Sequence, residues 1–204
     1  MPTTPTPKNY DVTHIQQGPG DLWVIGTPPS DSVAPILTLA SDGSPDATAY
    51  PNAVHLGGVD SATTVVVTPK IEDIKIDQFD GPVARYLTDL ELSMEAELVQ
   101  LDPKLMQNVM TYATFSTQVS PGFNLLTFGG MGIAATGPCI ACISQKRTAP
   151  GKFVVVMFFS AHGTLGLSTS LGRAKKSVYK AQFKALVDPT RTLGRTTGVI
   201  YETL

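Results

Sequence analysis

The sequence predicts a mainly β protein, an antiparallel β-sandwich or small barrel with one flanking α-helix. Several segments alternate apolar and polar side chains strictly, which is the pattern of half-buried strands. The chain has 18 glycines and 16 prolines among 204 residues. Turns and irregular segments are therefore frequent, and this disfavours a fold built from long helices. One segment, shortly after residue 100, has apolar residues at clear helical spacing.

The strongest alternation lies in residues 89–98. One parity is apolar and the other is polar and mostly acidic: Leu90, Leu92, Met94, Ala96 and Leu98 against Asp89, Glu91, Ser93, Glu95 and Glu97. A strand over residues 85–98 would extend roughly 46 Å at about 3.3 Å per residue, which is long beside ordinary strands. We therefore expect this strand to bend, or to reach past its own domain to a neighbour.

The helix is predicted at residues 102–113. Asp102 can cap it and Pro103 suits its first position. Apolar residues then recur at helical spacing, at Leu105, Met106, Val109 and Met110. Leu101 stands where a hydrophobic staple would contact Met106.

About eight strands are expected in all. Besides the long strand they lie at residues 22–25, 36–40, 63–68, 73–77, 139–144, 152–160 and 178–187, and the tail gives at most one short last strand at 199–202. The strand at 63–68 is expected to end at Pro69, and a turn is expected at Asp80-Gly81-Pro82. Residues 152–160 are apolar on both parities, which predicts a central strand covered on both faces. Residues 114–138 are expected to be loose.

The predicted organisation is one β domain, residues 21–204, preceded by an extended N-terminal arm, residues 1–20. The arm either docks on a neighbour or is a disordered tail. The domain includes a long loop at 41–58 and a C-terminal tail at 190–204. Loops of this length without an element of their own are usually functional or disordered. The first residues, MPTTPTPKNY, lack the basic and then apolar pattern of a signal peptide, so we expect cytoplasm-like conditions.

The net charge of −2 conceals a strong asymmetry between the two halves of the chain. Residues 1–100 carry four basic and fourteen acidic side chains, whereas residues 101–204 carry eleven basic and three acidic ones. Acidic and basic strands could pair within one domain, or opposite surfaces could join copies of the chain. A third interpretation, nucleic-acid binding by the basic half, has less support from the sequence, because no basic run is interleaved with aromatic residues.

No catalytic or metal-binding arrangement emerges from the motifs. The three histidines, His14, His55 and His162, are far apart and are expected on the surface or in loops. Cys139 and Cys142 form a C-x-x-C inside PCIACISQ, which is typical of a strand. Positions i and i+3 of a strand face opposite sides, so this pair is expected neither to close a disulfide nor to share a metal. We expect no cofactor and no enzymatic activity.

The acidic row of the long strand has two interpretations. A continuous row differs from the paired carboxylates of a glycosidase, and same-face neighbours lie about 7 Å apart. The row is either a solvated face or a surface that repels an anionic polymer.

The central segment resembles a known family. The run LGGVDSATTVVVTPKIEDIKIDQFDGPVARYLTDLELSMEAELVQLDPKLMQNVM resembles the core of the major tail proteins, or tail tube proteins, of long-tailed bacteriophages. That core has a strand ending in Asp-Gln (Asp77-Gln78), a Gly-Pro turn (Gly81-Pro82), a long strand of alternating acids and a helix introduced by Leu-Asp-Pro. The ending YKAQFKALVDPTRTLGRTTGVI is similar to the last strands of that family. The resemblance covers residues 55–112 and 176–200.

The resemblance implies a tail tube-like fold, a sandwich or barrel that assembles as hexameric rings. Strands of neighbouring subunits join into a continuous barrel around a lumen, and the rings stack head to tail. Double-stranded DNA then passes through the lumen during ejection without specific binding. The protein would be a non-catalytic structural subunit of the virion tail, assembled in the host cytoplasm, with other tail proteins as further partners.

The same resemblance suggests roles for named residues. The acids Asp89, Glu91, Glu95 and Glu97 are expected to line the lumen. They could instead pair with basic residues of a neighbouring strand or subunit: Lys176, Lys180 and Lys184. Contacts between rings are expected from both chain ends and from the long loop, at Asp42, Asp46, Tyr50 and His55.

A β-sandwich that binds a carbohydrate or a receptor is the alternative function. It requires exposed aromatic residues on one face as a stacking platform. The chain has one Trp, six Tyr and eight Phe. Most of them stand on strand parities that the alternation assigns to the buried side, which disfavours this alternative.

Overall fold

The computed structural model describes residues 20–31, 35–59, 62–75, 82–99, 102–110, 112–118, 122–129, 137–146, 149–163, 178–192 and 196–203. The strands are β1 (Asp21–Gly26), β2 (Val54–His55), β3 (Thr64–Lys75), β4 (Pro82–Leu98), β5 (Ala113–Gln118), β6 (Phe123–Phe128), β7 (Cys139–Gln145), β8 (Phe153–Phe158), β9 (Ala161–Gly163), β10 (Tyr179–Ala185) and β11 (Gly198–Glu202). The helix in these ranges is α1 (Pro103–Val109). The mainly β prediction is confirmed.

Two open antiparallel sheets form a sandwich. One sheet has five strands in the order β11-β8-β7-β1-β2, and the other has four in the order β3-β4-β10-β9. Alternate side chains of both sheets meet in a first core cluster, which includes Leu22, Val24, Ile140 and Phe158 from the five-stranded sheet and Leu92, Met94, Ala96, Leu98, Tyr179, Ala181 and Phe183 from the other. In the described part of the chain neither sheet closes on itself, so the sandwich is observed and the barrel is not.

Strand β8 lies inside the five-stranded sheet, between β11 and β7. Phe158 belongs to the first core cluster, whereas Val155 and Met157 belong to a second cluster on the opposite face. Both faces of β8 are therefore covered. This is what the strand predicted at residues 152–160 implies, since its apolar run 153–159 covers both parities, whereas a strand with water on one face alternates instead.

The second core cluster is covered by residues 35–53, where a strand at 36–40 and a loop from 41 were predicted. The strand prediction is wrong: the only pairing described there is an isolated bridge between Leu39 and Pro45. Local hydrogen bonds hold this segment as a folded loop, such as Asp46 N to Thr38 O at 2.9 Å. The apolar alternation of 36–40 thus places Leu37 and Leu39 against the sheet rather than within one.

Two side-chain contacts fix this loop to the five-stranded sheet. The Tyr201 hydroxyl accepts a hydrogen bond from Leu37 N at 2.8 Å and donates to Leu37 O at 3.2 Å. Gly43 has φ of 87°, and a Cβ there would lie 2.3 Å from the Phe153 ring. Only glycine suits that position, because it must adopt a left-handed conformation and also approach an aromatic ring closely.

Strand β3 does not end at Pro69, as the sequence predicted. It continues to Lys75 and joins the predicted strands at 63–68 and 73–77 into one. Pro69 lies opposite Leu90. Because β3 is the outer strand of its sheet, a residue without an N–H group is tolerated there. Residues 76–81, which carry most of the predicted turn, lie outside the described residues.

The helix prediction is confirmed in its start but not in its length. The Asp102 side chain accepts a hydrogen bond from Lys104 N at 2.9 Å, and Pro103 is the first helical residue. The helix ends at Val109, and residue 113 already begins β5. The hairpin of β5 and β6 replaces the loose structure expected after residue 114. Leu101, the predicted staple residue, lies outside the described residues, as does the predicted arm apart from Gly20.

Removal of the Tyr201 hydroxyl tests how the loop is held. Tyr201→Phe leaves the N–H and C=O groups of the buried Leu37 without that partner, so we expect a loss of about 1–3 kcal/mol in the free energy of unfolding. Urea unfolding measures it. Ile200→Thr, at an exposed position of the same strand, is the control and should change stability by no more than about 0.5 kcal/mol. Equal losses in the two variants would contradict this role of the hydroxyl.

Candidate interaction surfaces

The acidic row predicted from the sequence lies on the side of the four-stranded sheet that faces away from the core. On β4 the residues Leu92, Met94, Ala96 and Leu98 are buried, and the residues between them point to the opposite side. Strand β10 alternates in the same sense, with Tyr179, Ala181 and Phe183 buried. We call the opposite side the polar face; its central members are Glu91, Ser93, Glu95, Glu97, Lys180, Gln182 and Lys184.

Each acid of the row lies beside a basic or amide group of the same chain. Lys70 Nζ of β3 lies 2.9 Å from Asp89 Oδ2. Lys184 Nζ contacts Glu91 Oε1, and Gln182 Nε2 donates to Glu95 Oε1. Lys180 stands directly opposite Glu97 in the strand register. Two of the three lysines suggested as partners thus lie on the adjacent strand of one chain, and Lys176 lies outside the described residues.

These pairs shift the pKa values of their members. The hydrogen bond from Lys184 lowers the pKa of Glu91, and that from Lys70 lowers the pKa of Asp89. The hydrogen bond to Asp89 raises the pKa of Lys70. Glu91 and Lys184 are 42% and 47% exposed, so these pairs are solvated and screened. The polar face therefore carries acids that mostly lie beside lysines, with Glu95 beside the neutral Gln182 amide, rather than an unbroken acidic wall.

Strands β3 and β4 continue far beyond the sheet. Strand β10 pairs with β4 at residues 93–98, while β3 pairs with it from Thr64 to Lys75. Residues 67–75 and 82–92 therefore form a two-stranded extension, called here the β-ribbon. At ~3.3 Å per residue it is roughly 30 Å long. Within the described residues, β3 is the only strand paired with β4 in this extension.

The β-ribbon continues the apolar face of the core into solvent. Opposite residues of an antiparallel pair share a face, so Pro69 with Leu90, and Ile71 with Leu87, extend the line that begins at Val67 and Leu92. A bulge sets this arrangement. Strand β4 has one extra residue between Leu87 and Asp89, which places Leu87 opposite Ile71. We call Val67, Pro69, Ile71, Leu87 and Leu90 the apolar stripe.

The apolar stripe is exposed, whereas polar groups of the β-ribbon are paired within it. Ile71 is 58% exposed and Leu87 is 56% exposed. By contrast, Arg85 Nε lies 2.8 Å from Asp73 Oδ1, and the Tyr86 hydroxyl donates to Glu72 at 2.7 Å. The β-ribbon thus has these polar groups satisfied and its large aliphatic side chains uncovered in the described part of the structure.

A second exposed apolar surface lies on the β5–β6 hairpin. One face of the hairpin turns toward α1, and Phe115 N donates to Gln107 Oε1 at 3.2 Å. The other face, called here the outer hairpin face, carries Phe123, Leu125 and Thr127 together with Thr114 and Ser116, which stand opposite Thr127 and Leu125. Phe123 is 46% exposed. Residues 114–138 were expected to be loose, so this face was not predicted. The apolar stripe was not predicted either, because a strand was expected to end at Pro69.

The residues suggested for ring contacts from the long loop occupy different environments. Asp42 accepts hydrogen bonds from Ser44, and Asp46 accepts one from Thr48 N. Asp42 is exposed and Asp46 is half-buried, and these hydrogen bonds lower the pKa values of both carboxyl groups. Tyr50 packs against the second core cluster. His55 lies in β2, with its ring 4.8 Å from the Trp23 ring and Nε2 3.6 Å from Asp21 Oδ1. His55 was expected in a loop and is instead part of a strand.

The two cysteines are buried in the core of the sandwich. Cys139 and Cys142 are buried free thiols that belong to different core clusters, which confirms that they face opposite sides of a strand. Burial raises the pKa of Cys139 to about 12 and that of Cys142 to about 11. Among the described residues no group of three or more His, Cys, Asp or Glu is placed to hold a metal ion. None of the helices described is long and apolar enough to cross a membrane.

Removal of the Lys184 ammonium group tests the pairing on the polar face. Lys184→Met should raise the pKa of Glu91 toward its ordinary value of 4.5, as measured by an NMR titration of the side chain. Because the folded-state pKa is lowered, the pair stabilises the fold above 4.5, and this contribution disappears as the pH falls through the folded-state value. Lys180→Met should leave Glu91 unchanged. An equal shift in both variants would contradict a specific Lys184–Glu91 pair.

No protein-family model matches the sequence, and no curated protein matches it. Function is therefore inferred from the residue pattern with its family resemblance, from the strand pairings and from the surfaces described above.

Proposed function

We propose that this protein is a structural subunit of a phage tail tube, without catalytic activity. Copies form hexameric rings that stack head to tail around a lumen, through which double-stranded DNA passes during ejection. The single observation that carries the proposal is the four-stranded sheet: it is covered on one face, polar on the other, and open along the outer edge of β3 in the described part of the chain. The ring number and the tail itself come from the family resemblance.

The open edge of β3 supports assembly through the sheet. An edge strand presents unpaired N–H and C=O groups that can pair with another chain. At the other edge of the sheet, Ala161 N of β9 already donates to Pro138 O at 3.0 Å. If β3 of one subunit pairs with a different strand of the next, the contact is heterologous, and repetition by rotation closes a ring. The core-facing side of the sheet remains covered by its own five-stranded sheet. The polar face then forms the wall of the lumen.

The charge arrangement of the polar face suits a channel for DNA. Tight DNA binding requires basic side chains that neutralise phosphates. Here Lys70 and Lys184 are already held by Asp89 and Glu91, so a passing phosphate would have to displace a carboxylate. Glu95 is held by the neutral amide of Gln182, so the wall keeps a small excess of negative charge. The wall therefore attracts the polymer weakly, and most of its acids are compensated by lysines instead of forming a purely repulsive row.

The carbohydrate-binding alternative receives little support from the exposed aromatic residues. Tyr86 is on the β-ribbon and its hydroxyl is engaged by Glu72. Phe123 and Phe128 lie on the hairpin, but their positions on β6 differ in parity, so they point to opposite faces. These three side chains do not form one stacking platform.

Electron microscopy of the purified protein tests the proposal directly. We expect rings with a central hole, and tubes with a constant outer diameter at higher protein concentration. Sedimentation or light scattering should report a mass well above 21.6 kDa. A protein that stays monomeric under all conditions and is absent from virions would exclude a tail tube subunit.

Charge reversal tests whether the polar face lines the lumen. Replacement of Asp89, Glu91, Glu95 and Glu97 by Lys should still allow tubes, but virions assembled from this variant should release less DNA, because unpaired lysines bind phosphates. The control variant adds Glu at Lys70, Lys180 and Lys184, which restores the pairs with reversed sign and should recover DNA release. If the first variant forms no rings and the control does, the acids serve as pairing partners in assembly instead.

A further inference from the structure

We propose that the apolar stripe of the β-ribbon packs against the outer hairpin face of a second copy of this chain. This contact deepens the proposed function, on which it rests, by naming the surfaces that join one subunit to the next. Each copy contributes its stripe to one neighbour and its hairpin to another.

The distribution of exposed apolar side chains points to these two surfaces. Eleven of the fourteen large exposed apolar residues found in the described chain belong to the two hairpins. Eight lie on β3 and β4 and three lie on β6. Six of these eleven stand on the two surfaces themselves: Val67, Ile71, Leu87 and Leu90 on the stripe, and Phe123 and Leu125 on the outer hairpin face. The remaining three, Ile36, Val187 and Ile200, stand on three different segments. Scattered exposed apolar residues are normal, whereas contiguous apolar patches mark sites of association.

The size of the stripe disfavours a simple dimer. The stripe runs from Val67 to Ile71 on β3, roughly 17 Å, and is about 10 Å wide, since neighbouring strands lie about 4.8 Å apart. Asp73 and Arg85 continue the same face as an ion pair, so the apolar area is roughly 170 Å². A stable isolated dimer buries about 800 Å² on each partner. A single contact of this kind is too small for a dimer, so it suits an assembly in which each copy uses two such surfaces.

The two surfaces also match in shape and chemistry. Both are faces of two-stranded antiparallel hairpins, and such faces can pack at about 10 Å. The stripe offers aliphatic side chains, while the hairpin offers Phe123 and Leu125 among small hydroxyl residues. The nearest charges of the β-ribbon, Lys70 with Asp89 and Arg85 with Asp73, are already paired within it. A neighbouring copy can therefore cover the stripe without separating either of these two ion pairs.

The arrangement of the two surfaces makes the contact heterologous. The stripe and the hairpin lie on different elements, so a copy that uses its stripe can still use its hairpin. Such contacts generate closed rings or continuing filaments rather than pairs. If the β-ribbon of one copy packed against the β-ribbon of another copy instead, assembly would stop at two copies or at two rings.

Two variants separate the surfaces in the full chain. The ribbon variant combines Ile71→Lys with Leu87→Glu, opposite charges at directly opposed positions, so that the β-ribbon itself is preserved. The hairpin variant combines Phe123→Thr with Leu125→Lys. Ile200→Lys, at a position that is 57% exposed on β11, is the matched control. Circular dichroism and thermal unfolding verify that each variant is folded.

We expect each variant alone to stop at one small species, measured by light scattering coupled to size exclusion. A one-to-one mixture of the two purified variants should double that mass and go no further, because one intact stripe meets one intact hairpin. Ile200→Lys should assemble like the unmodified chain. The doubling is expected whether the small species is a single chain or a ring.

Three outcomes would overturn the inference. Normal assembly of either variant would show that its surface is not required. A mixture that stays at the small species would show that the two surfaces do not bind each other. A hairpin variant that still doubles by itself would indicate pairing between ribbons. Two further results separate this contact from the proposed function. If tubes form regardless of these changes, the contact fails while the tail tube proposal stands. If the unmodified chain assembles through this contact into open chains without a lumen, the proposed function fails while the contact stands.

Discussion

The burial of strands β7 and β8 on both faces is the constraint on which the rest of the structure depends. Two adjacent strands that are apolar on both sides must be covered twice, because water on either face would leave large aliphatic surface exposed. The four-stranded sheet covers one side and the folded loop covers the other. This requirement fixes which side of β4 is buried, and thereby turns its acids to the outside.

Strict alternation made this part of the fold predictable. The parity of β4 and β10, the internal position of β8, the opposed directions of Cys139 and Cys142 and the start of α1 all follow from short-range periodicity or capping. Lys180 and Lys184 were also named as partners of the acids, because charges of opposite sign on alternating strands suggest pairing, whereas Lys70 and Gln182 were not named. Their placement within one chain depended on strand order, which no local pattern contains.

The remaining features depend on tertiary context. Pro69 was expected to end a strand, but a free outer edge removes the penalty for its missing N–H. Residues 36–40 alternate like a strand, yet their backbone groups pair with a turn and with the Tyr201 hydroxyl. The β5–β6 hairpin has short strands of mixed polarity, and the bulge that aligns Leu87 with Ile71 is a property of two strands together. For these reasons the two exposed apolar surfaces were not visible in the sequence.

The loop over the five-stranded sheet has a thermodynamic consequence for any partner that covers it. A flexible loop loses about 1–2 kcal/mol of backbone conformational entropy per residue when it is ordered. Residues 35–53 have already lost this freedom, since turns and the Tyr201 hydroxyl hold them in the isolated chain. A neighbouring molecule that contacts Asp42 or Asp46 would meet a rigid shape. Association there would depend on complementarity of form, with little cost for ordering the chain.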